Sequence, residues 1–161
     1  MTSMAEDTGA AVVRPGDGQS VRWGPAGILR IIASAESTDG SFSICEVTEP
    51  PGTAAPLHLH RAEAEGFYIL DGAIELTCGA QTMRANAGDF VYAPKGVPHK
   101  YAVVGDRPAR VLMLFSRPGF ESFFAEGGRP LDAPPSGPPD PDALRRLCDK
   151  YDIELLAMPS H

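Results

Sequence analysis

Residues 52–72 read GTAAPLHLHRAEAEGFYILDG, and the ten at their centre, PLHLHRAEAE (56–65), hold two of the chain's four histidines and two glutamates. In an extended strand alternate side chains point the same way, so His58 and His60 face one side together. Glu65 follows a short turn and opens the next apolar run. Two imidazoles and a carboxylate on neighbouring strands supply three corners of a metal site, with glutamate adding the negative charge that neutral histidine lacks. Glu63 falls in the turn and is the competing carboxylate, either as a ligand itself or as the partner that orients one. An HxH pair alone is also common on solvated strand edges, so the reading needs further residues.

A third imidazole would complete the set, and the chain offers two. His161 is the last residue and is expected to fray. His99 lies in GDFVYAPKGVPHKYAV (88–103), where a proline–glycine turn delivers it to the start of a strand. That setting aims one side chain inward from a neighbouring strand.

The 161 residues carry a net charge of −7, with no basic stripe, which argues against nucleic acid and other polyphosphate partners. Seventeen glycines and sixteen prolines favour short strands and turns over a helical bundle. Cys45, Cys78 and Cys148 are odd in number and widely spaced, so they read as small apolar residues in a reducing compartment. The start, MTSMAEDTGA, lacks the pattern of a signal peptide, and the longest apolar run, VLMLF (111–115), is too short to span a bilayer. A soluble cytoplasmic protein is expected.

Residues 1–10 are expected to be disordered, and residues 11–118 to form an all-β barrel. Strands are predicted at 11–13, 27–36, 41–49, 66–70, 73–78, 89–93, 100–104 and 110–116, separated by TDGS, CGA, NAGD and similar turn signals. An antiparallel sandwich or barrel follows. Residues 119–161 read as an extension that packs on the barrel. Phe120, Phe123 and Phe124 predict a short helix stopped at Gly127–Gly128. A proline-rich linker fills 129–142, and a second helix begins at Asp140 with Pro141 in its first turn. Its Leu144, Leu147, Cys148 and Tyr151 share a face, and IELLAM (153–158) closes the chain as a short strand.

Spacing then carries a resemblance. The first stretch reads Gly52, five residues, His58, one, His60, four, Glu65, six, Gly72; the second reads Gly88, five, Pro94, one, Gly96, two, His99, three, Val103. These are similar to the two signature motifs of the cupin superfamily, matching nine of ten positions, with Val103 where the family has asparagine. The match covers residues 52–103, about a third of the chain. It implies a jelly-roll β-barrel of two antiparallel sheets. It also implies one divalent transition metal on His58, His60, Glu65 and His99. Val103 is not a ligand position, so its departure leaves that implication standing.

Nitrogen and oxygen ligands without thiolate suit Fe(II), Mn(II) or Ni(II), with Zn(II) or Co(II) as further candidates. Phe67 and Tyr101 share parity with Glu65 and His99 and are expected to face the cavity as substrate-lining residues, with Met113 and Phe115 on the last strand. Arg61 and Lys95 read as solvated turn charges, with contact to an anionic substrate as the alternative. The resemblance is to the quercetin-dioxygenase-like group of single-domain cupins. It implies an oxygenase acting with O₂ on a small phenolic or enolisable molecule, with Glu65 able to serve as a base. A non-oxidative cyclase or isomerase is the alternative, and a non-catalytic ligand-binding barrel the third reading. A homodimer is expected, without a nucleic-acid or membrane partner.

Overall fold

A computed structural model describes residues 9–134, 136–137 and 140–157. In chain order the strands are β1 (Ser20–Trp23), β2 (Gly27–Ala33), β3 (Ser43–Glu49), β4 (Leu57–His60), β5 (Glu65–Asp71), β6 (Ala73–Cys78), β7 (Gln81–Asn86), β8 (Phe90–Ala93), β9 (His99–Val103) and β10 (Ala109–Phe115). The helices α1 (Glu121–Gly127) and α2 (Pro141–Lys150) follow, then β11 (Ile153–Ala157). A six-stranded sheet runs β1-β2-β3-β10-β5-β8, and a five-stranded sheet runs β11-β4-β9-β6-β7, with every pairing antiparallel. This is the jelly-roll of two antiparallel sheets that the motifs implied.

Alternation builds the interior. Along β3 the inward positions are Ser43, Cys45, Val47 and Glu49; along β10 they are Ala109, Val111, Met113 and Phe115, and all eight are buried. Register lines them up in rows across the large sheet, Leu29–Val47–Val111–Ile69 and Cys45–Met113–Phe67 among them. Phe67 and Ile69 are at most 1% exposed, and burying each such side chain contributes roughly 1.5–3 kcal/mol. Val103 belongs to this interior: it is buried opposite Ile74, and its backbone bonds Gly52 and Thr53. Packing gives that position a reason to be apolar in this chain.

Gly72 joins β5 to β6 at φ +74°, where a Cβ would run into the Pro108 carbonyl oxygen, so no other residue fits that turn without movement.

Three expectations need correction. Residues 11–13 form no strand: Val12 and Val13 are exposed, and the first strand is instead SVRW at 20–23, which pairs with β2. QTMRAN forms β7, a strand the turn-based reading passed over because its apolar content is low. Glu65 does not lie on a strand beside the HxH strand: β4 belongs to the five-stranded sheet and β5 to the facing one. The four residues between His60 and Glu65 therefore carry the chain from one sheet to the other.

The tail packs on the barrel. Trp23 meets Phe123 and Phe124 edge-on at centroid distances of 5.3 and 4.9 Å, and α2 sets Leu144 and Leu147, with Tyr151 just past its end, against the same core. The Asp140 carboxylate accepts the Asp142 N–H at 3.1 Å, and Pro141 occupies the first turn, as the sequence predicts. β11 pairs with β4 of its own chain, Ile153 opposite His60 and Leu155 opposite His58. Residues 1–8 and His161 lie outside the described residues. No helix among the described residues is long and apolar enough to cross a membrane.

Candidate metal centre

β4 and β9 are antiparallel neighbours with His58 directly opposite His99, and the imidazole centroids stand 4.5 Å apart. His60, two residues along, brings its ring to 5.1 Å from His58 and 5.5 Å from His99. The Gly96 N–H donates to the His60 carbonyl at 2.8 Å, which ties the turn before His99 to the strand bearing the other two rings. Glu65 enters from the opposite sheet, so the four residues meet in the space between the two layers. One ligand atom from each of His58, His60, Glu65 and His99 lies within 4.8 Å of the others.

Each ring is oriented by its far nitrogen. Nδ1–H of His58 donates to the Pro56 carbonyl at 2.7 Å, and Nδ1–H of His99 to the Val97 carbonyl at 3.0 Å. A carbonyl only accepts, so both rings carry a proton on Nδ1 and turn Nε2 toward the cluster. His60 Nδ1 meets the fully buried Glu63 carboxylate at 2.6 Å. The Glu65 Oε2 lies 3.1 Å from His60 Nε2 and 3.2 Å from His99 Nε2. His60 Nε2 is buried yet has no well-directed hydrogen bond. Three Nε2 atoms and a carboxylate converging on one point, with every ring pinned from behind, fit a divalent cation.

Electrostatics agree. Burial would lower the His60 pKa, but hydrogen bonds and charge from Glu63 and Glu65 overcome it and lift the group to about 9. Burial and the neighbouring His99 push His58 down to about 4. Burial alone would raise Glu65, yet His60 and His99 hold it at about 2. His60 is thus held as a cation against the Glu65 carboxylate, the place a metal cation would take.

Glu63, weighed from sequence as the rival carboxylate, sits behind His60 and is not part of the converging set. Replacing it by glutamine should leave the fold intact and weaken metal binding by roughly 10–100-fold, because the partner of a ligating imidazole sets its orientation and basicity. Competition titration against a chromogenic chelator measures the change.

The cluster opens into a cavity of about 1090 Å³. His58, His60 and Glu65 line it, as do Tyr101, Met113 and Phe115. Phe67 does not; it packs behind, edge-on to His99 at 6.3 Å and to Tyr101 at 5.7 Å. Arg61 pairs with Glu154 on the surface at 2.9 Å, and neither it nor Lys95 reaches the cavity. Sequence reasoning missed Phe120, whose ring stands 4.9 Å from His60, and Glu49, a buried acid on the wall. The signal for Glu49 was its place in SFSICEVTE, at the same parity as Ser43, Cys45 and Val47.

Comparison with known proteins adds to this geometry. Residues 45–115 match the family model described as a cupin domain. The chain is 30% identical over 146 residues to quercetin 2,3-dioxygenase of Bacillus subtilis, a match covering 90% of this chain and 42% of that protein. This chain therefore spans less than half the length of that relative. Among solved structures, KdgF from Halomonas sp. superposes with a TM-score of 0.62 at 19% identity, covering 70% of this chain and 99% of that one. The polyketide cyclase RemF from Streptomyces resistomycificus gives 0.56 at 19% identity, covering 66% and 78%. Those two likenesses concern the fold. Both signature stretches lie inside the matched cupin domain, the alignment to the dioxygenase runs well beyond it, and the chain resembles the quercetin-dioxygenase-like group of cupins.

Proposed function

We propose that this protein is a metal-dependent oxygenase acting on a small, largely apolar molecule with adjacent oxygen functions, phenolic or enolisable. One observation carries the reading: three Nε2 atoms and a carboxylate converge at the wall of a large cavity whose other walls include Met113, Phe115 and Phe120. Such walls bind an apolar ring, while a charged centre orients its oxygens. The relative that this chain matches over most of its own length is named a quercetin dioxygenase, which supports a substrate of that type.

His58, His60, Glu65 and His99 would hold Fe(II), Mn(II) or Ni(II), with zinc and cobalt as the other candidates. When bound, such an ion supplies Lewis acidity and, where redox-active, electron transfer between substrate and O₂. The chain's own part is to fix the rings through Pro56, Val97 and Glu63, and to exclude water with the Phe115–Phe120 pair, whose centroids are 4.4 Å apart. Two imidazoles hold Glu65, and a carboxylate kept so low is a weak base, so Glu65 is assigned to metal binding and not to proton transfer.

The test is anaerobic reconstitution with iron, manganese, nickel or zinc in turn, followed by oxygen uptake with flavonols and catechols. Uptake is expected with a redox-active metal and none with zinc. Turnover of an enolisable substrate by the zinc form without oxygen would instead establish a cyclase or isomerase. That second reading is favoured by Glu49, a protonatable carboxyl lining the same cavity. A homodimer is part of the proposal, and light scattering should return twice the chain mass.

A further inference from the structure

Glu49 ends β3 with its side chain turned inward and is 4% exposed. The Tyr101 hydroxyl donates to its Oε2 at 2.8 Å, and Tyr101 stands on β9 two residues from His99, on the same face of the strand. Both residues line the cavity that His58, His60 and Glu65 line. The second oxygen, Oε1, has no hydrogen bond among the described residues, and Gly27 packs beneath, where a Cβ would come within 3.1 Å of the Glu49 Cγ.

Among the described residues no cation pairs with this carboxyl. Four arginine and lysine side chains line the cavity and none forms an ion pair with Glu49: Arg22 bonds the Leu131 carbonyl, Arg129 the Pro134 carbonyl and Lys150 the Glu126 carboxylate, and Arg146 stands on α2. Ala109, opposite Glu49 on β10, and Gly27 on β2 bring no titratable group. Burial consequently raises the carboxyl to about 7, against a smaller lowering by the Tyr101 hydroxyl. Elsewhere in the molecule the buried Glu121 shows the contrast: its two oxygens take the Ala35 N–H and the Ser43 hydroxyl. Glutamine would satisfy Tyr101 equally well and would not need to ionise in an apolar wall. A buried acid with one fixed oxygen and one free oxygen is therefore a stability cost that packing does not explain.

Resting on the metal-centre reading above, we propose that Glu49 is the proton-exchanging residue of this cavity, held in place by Tyr101, and that it takes the hydroxyl proton of a phenolic or enolic substrate whose neighbouring oxygen faces the His/Glu cluster. In that step the substrate O–H bond breaks, its electron pair stays on the substrate oxygen, and the proton forms an O–H bond to Glu49 Oε1. The carboxylate loses its charge as the substrate gains one, so the total is unchanged, and reversal returns the proton to product. Glu49 is the catalytic residue and Tyr101 the positioning residue. The cavity then selects a substrate with an acidic hydroxyl adjacent to a second oxygen.

The test uses the full chain loaded with redox-inert zinc, carrying ¹³C-labelled glutamate, and 3-hydroxyflavone as the probe, just above neutral pH. Calorimetry records binding, and infrared difference spectra record protonation. On flavonol binding, a protonated-carboxyl band that shifts with the label is expected. It should vanish in Glu49→Gln, at unchanged zinc stoichiometry, and move in frequency in Tyr101→Phe, which removes the hydrogen bond to Oε2 but keeps the acid. With a turned-over substrate, Glu49→Gln should lose roughly 10²–10⁴-fold in kcat. A flavonol that binds without producing the band, or a band unaffected by either variant, overturns the proposal while sparing the metal reading. Failure of the wild-type chain to take up zinc or the flavonol overturns the metal reading and, with it, this one.

Discussion

His58→Ala is expected to purify with less than a tenth of the metal carried by the wild-type chain, which should hold close to one ion when prepared without chelator. A site of this kind binds through the sum of its ligands, and losing one of four costs on the order of a hundredfold or more in affinity. His58 is the ligand whose removal disturbs the fold least: it is partly exposed, whereas His60, Glu65 and His99 are buried. Its strand stays bonded to β9 and β11 through the backbone. Elemental analysis of both proteins decides the matter, with thermal melts as the control for folding. Added metal at about 100 times its Kd should stabilise the wild type by about 2.7 kcal/mol. The variant should show little of this. Iron, manganese or nickel in the wild type sends the work to oxygen chemistry; zinc moves the cyclase or isomerase reading forward. Equal metal in both proteins would remove His58 from the ligand set.

The second large effect is on stability. In metal-free protein the Glu49 carboxyl keeps its proton up to about 7 when folded but releases it near 4.5 when unfolded. Between those values the folded state binds more protons, so stability falls as pH rises through that window and levels off above it. A shift of that size corresponds to about 3 kcal/mol. Glu49→Gln lacks the titration and still accepts the Tyr101 hydroxyl. The variant should therefore gain about 3 kcal/mol over the wild type between acid and alkaline ends of the window, roughly 10 °C in Tm for a chain of this size. Denaturation curves across pH test this, and parallel curves for the two proteins would show that Glu49 is not buried as described. Together with the infrared experiment, this separates what the acid costs the fold from what it does for a ligand.

Sequence alone carried the reading furthest where function and turn geometry coincide. Gly52, Gly72, Pro94 and Gly96 punctuate strands whose ends must deliver imidazoles, and punctuation is a local property. The convergence of His58, His60, Glu65 and His99 was legible for that reason. Which sheet each residue joined was not, since strand pairing is non-local: Glu65 came from the facing layer. β7 escaped because QTMRAN is held by its hairpin partner β6 and not by an apolar face of its own. The AVV at 11–13 misled in the opposite way, having β-forming residues but no partner strand. Phe67 was placed on the correct face yet behind the cavity, because parity gives the side of a strand and not the depth of the packing. Glu49 and Phe120 lie outside the two motifs, Glu49 just ahead of the first, and the tertiary fold brings both to the wall.

The pairing of β11 with β4 has a consequence for how the molecule comes into being. β4 carries His58 and His60 of the candidate centre and lies between β9 and β11, so its outer edge is covered by a strand synthesised after all ten others. While the ribosome is still adding the tail, His58 and His60 sit on an open edge. Such an edge offers its imidazoles to any metal nearby and its backbone to any other strand. The tail strand closes that interval. A nascent chain arrested before residue 153 should accordingly exchange metal faster than one in which β11 covers β4.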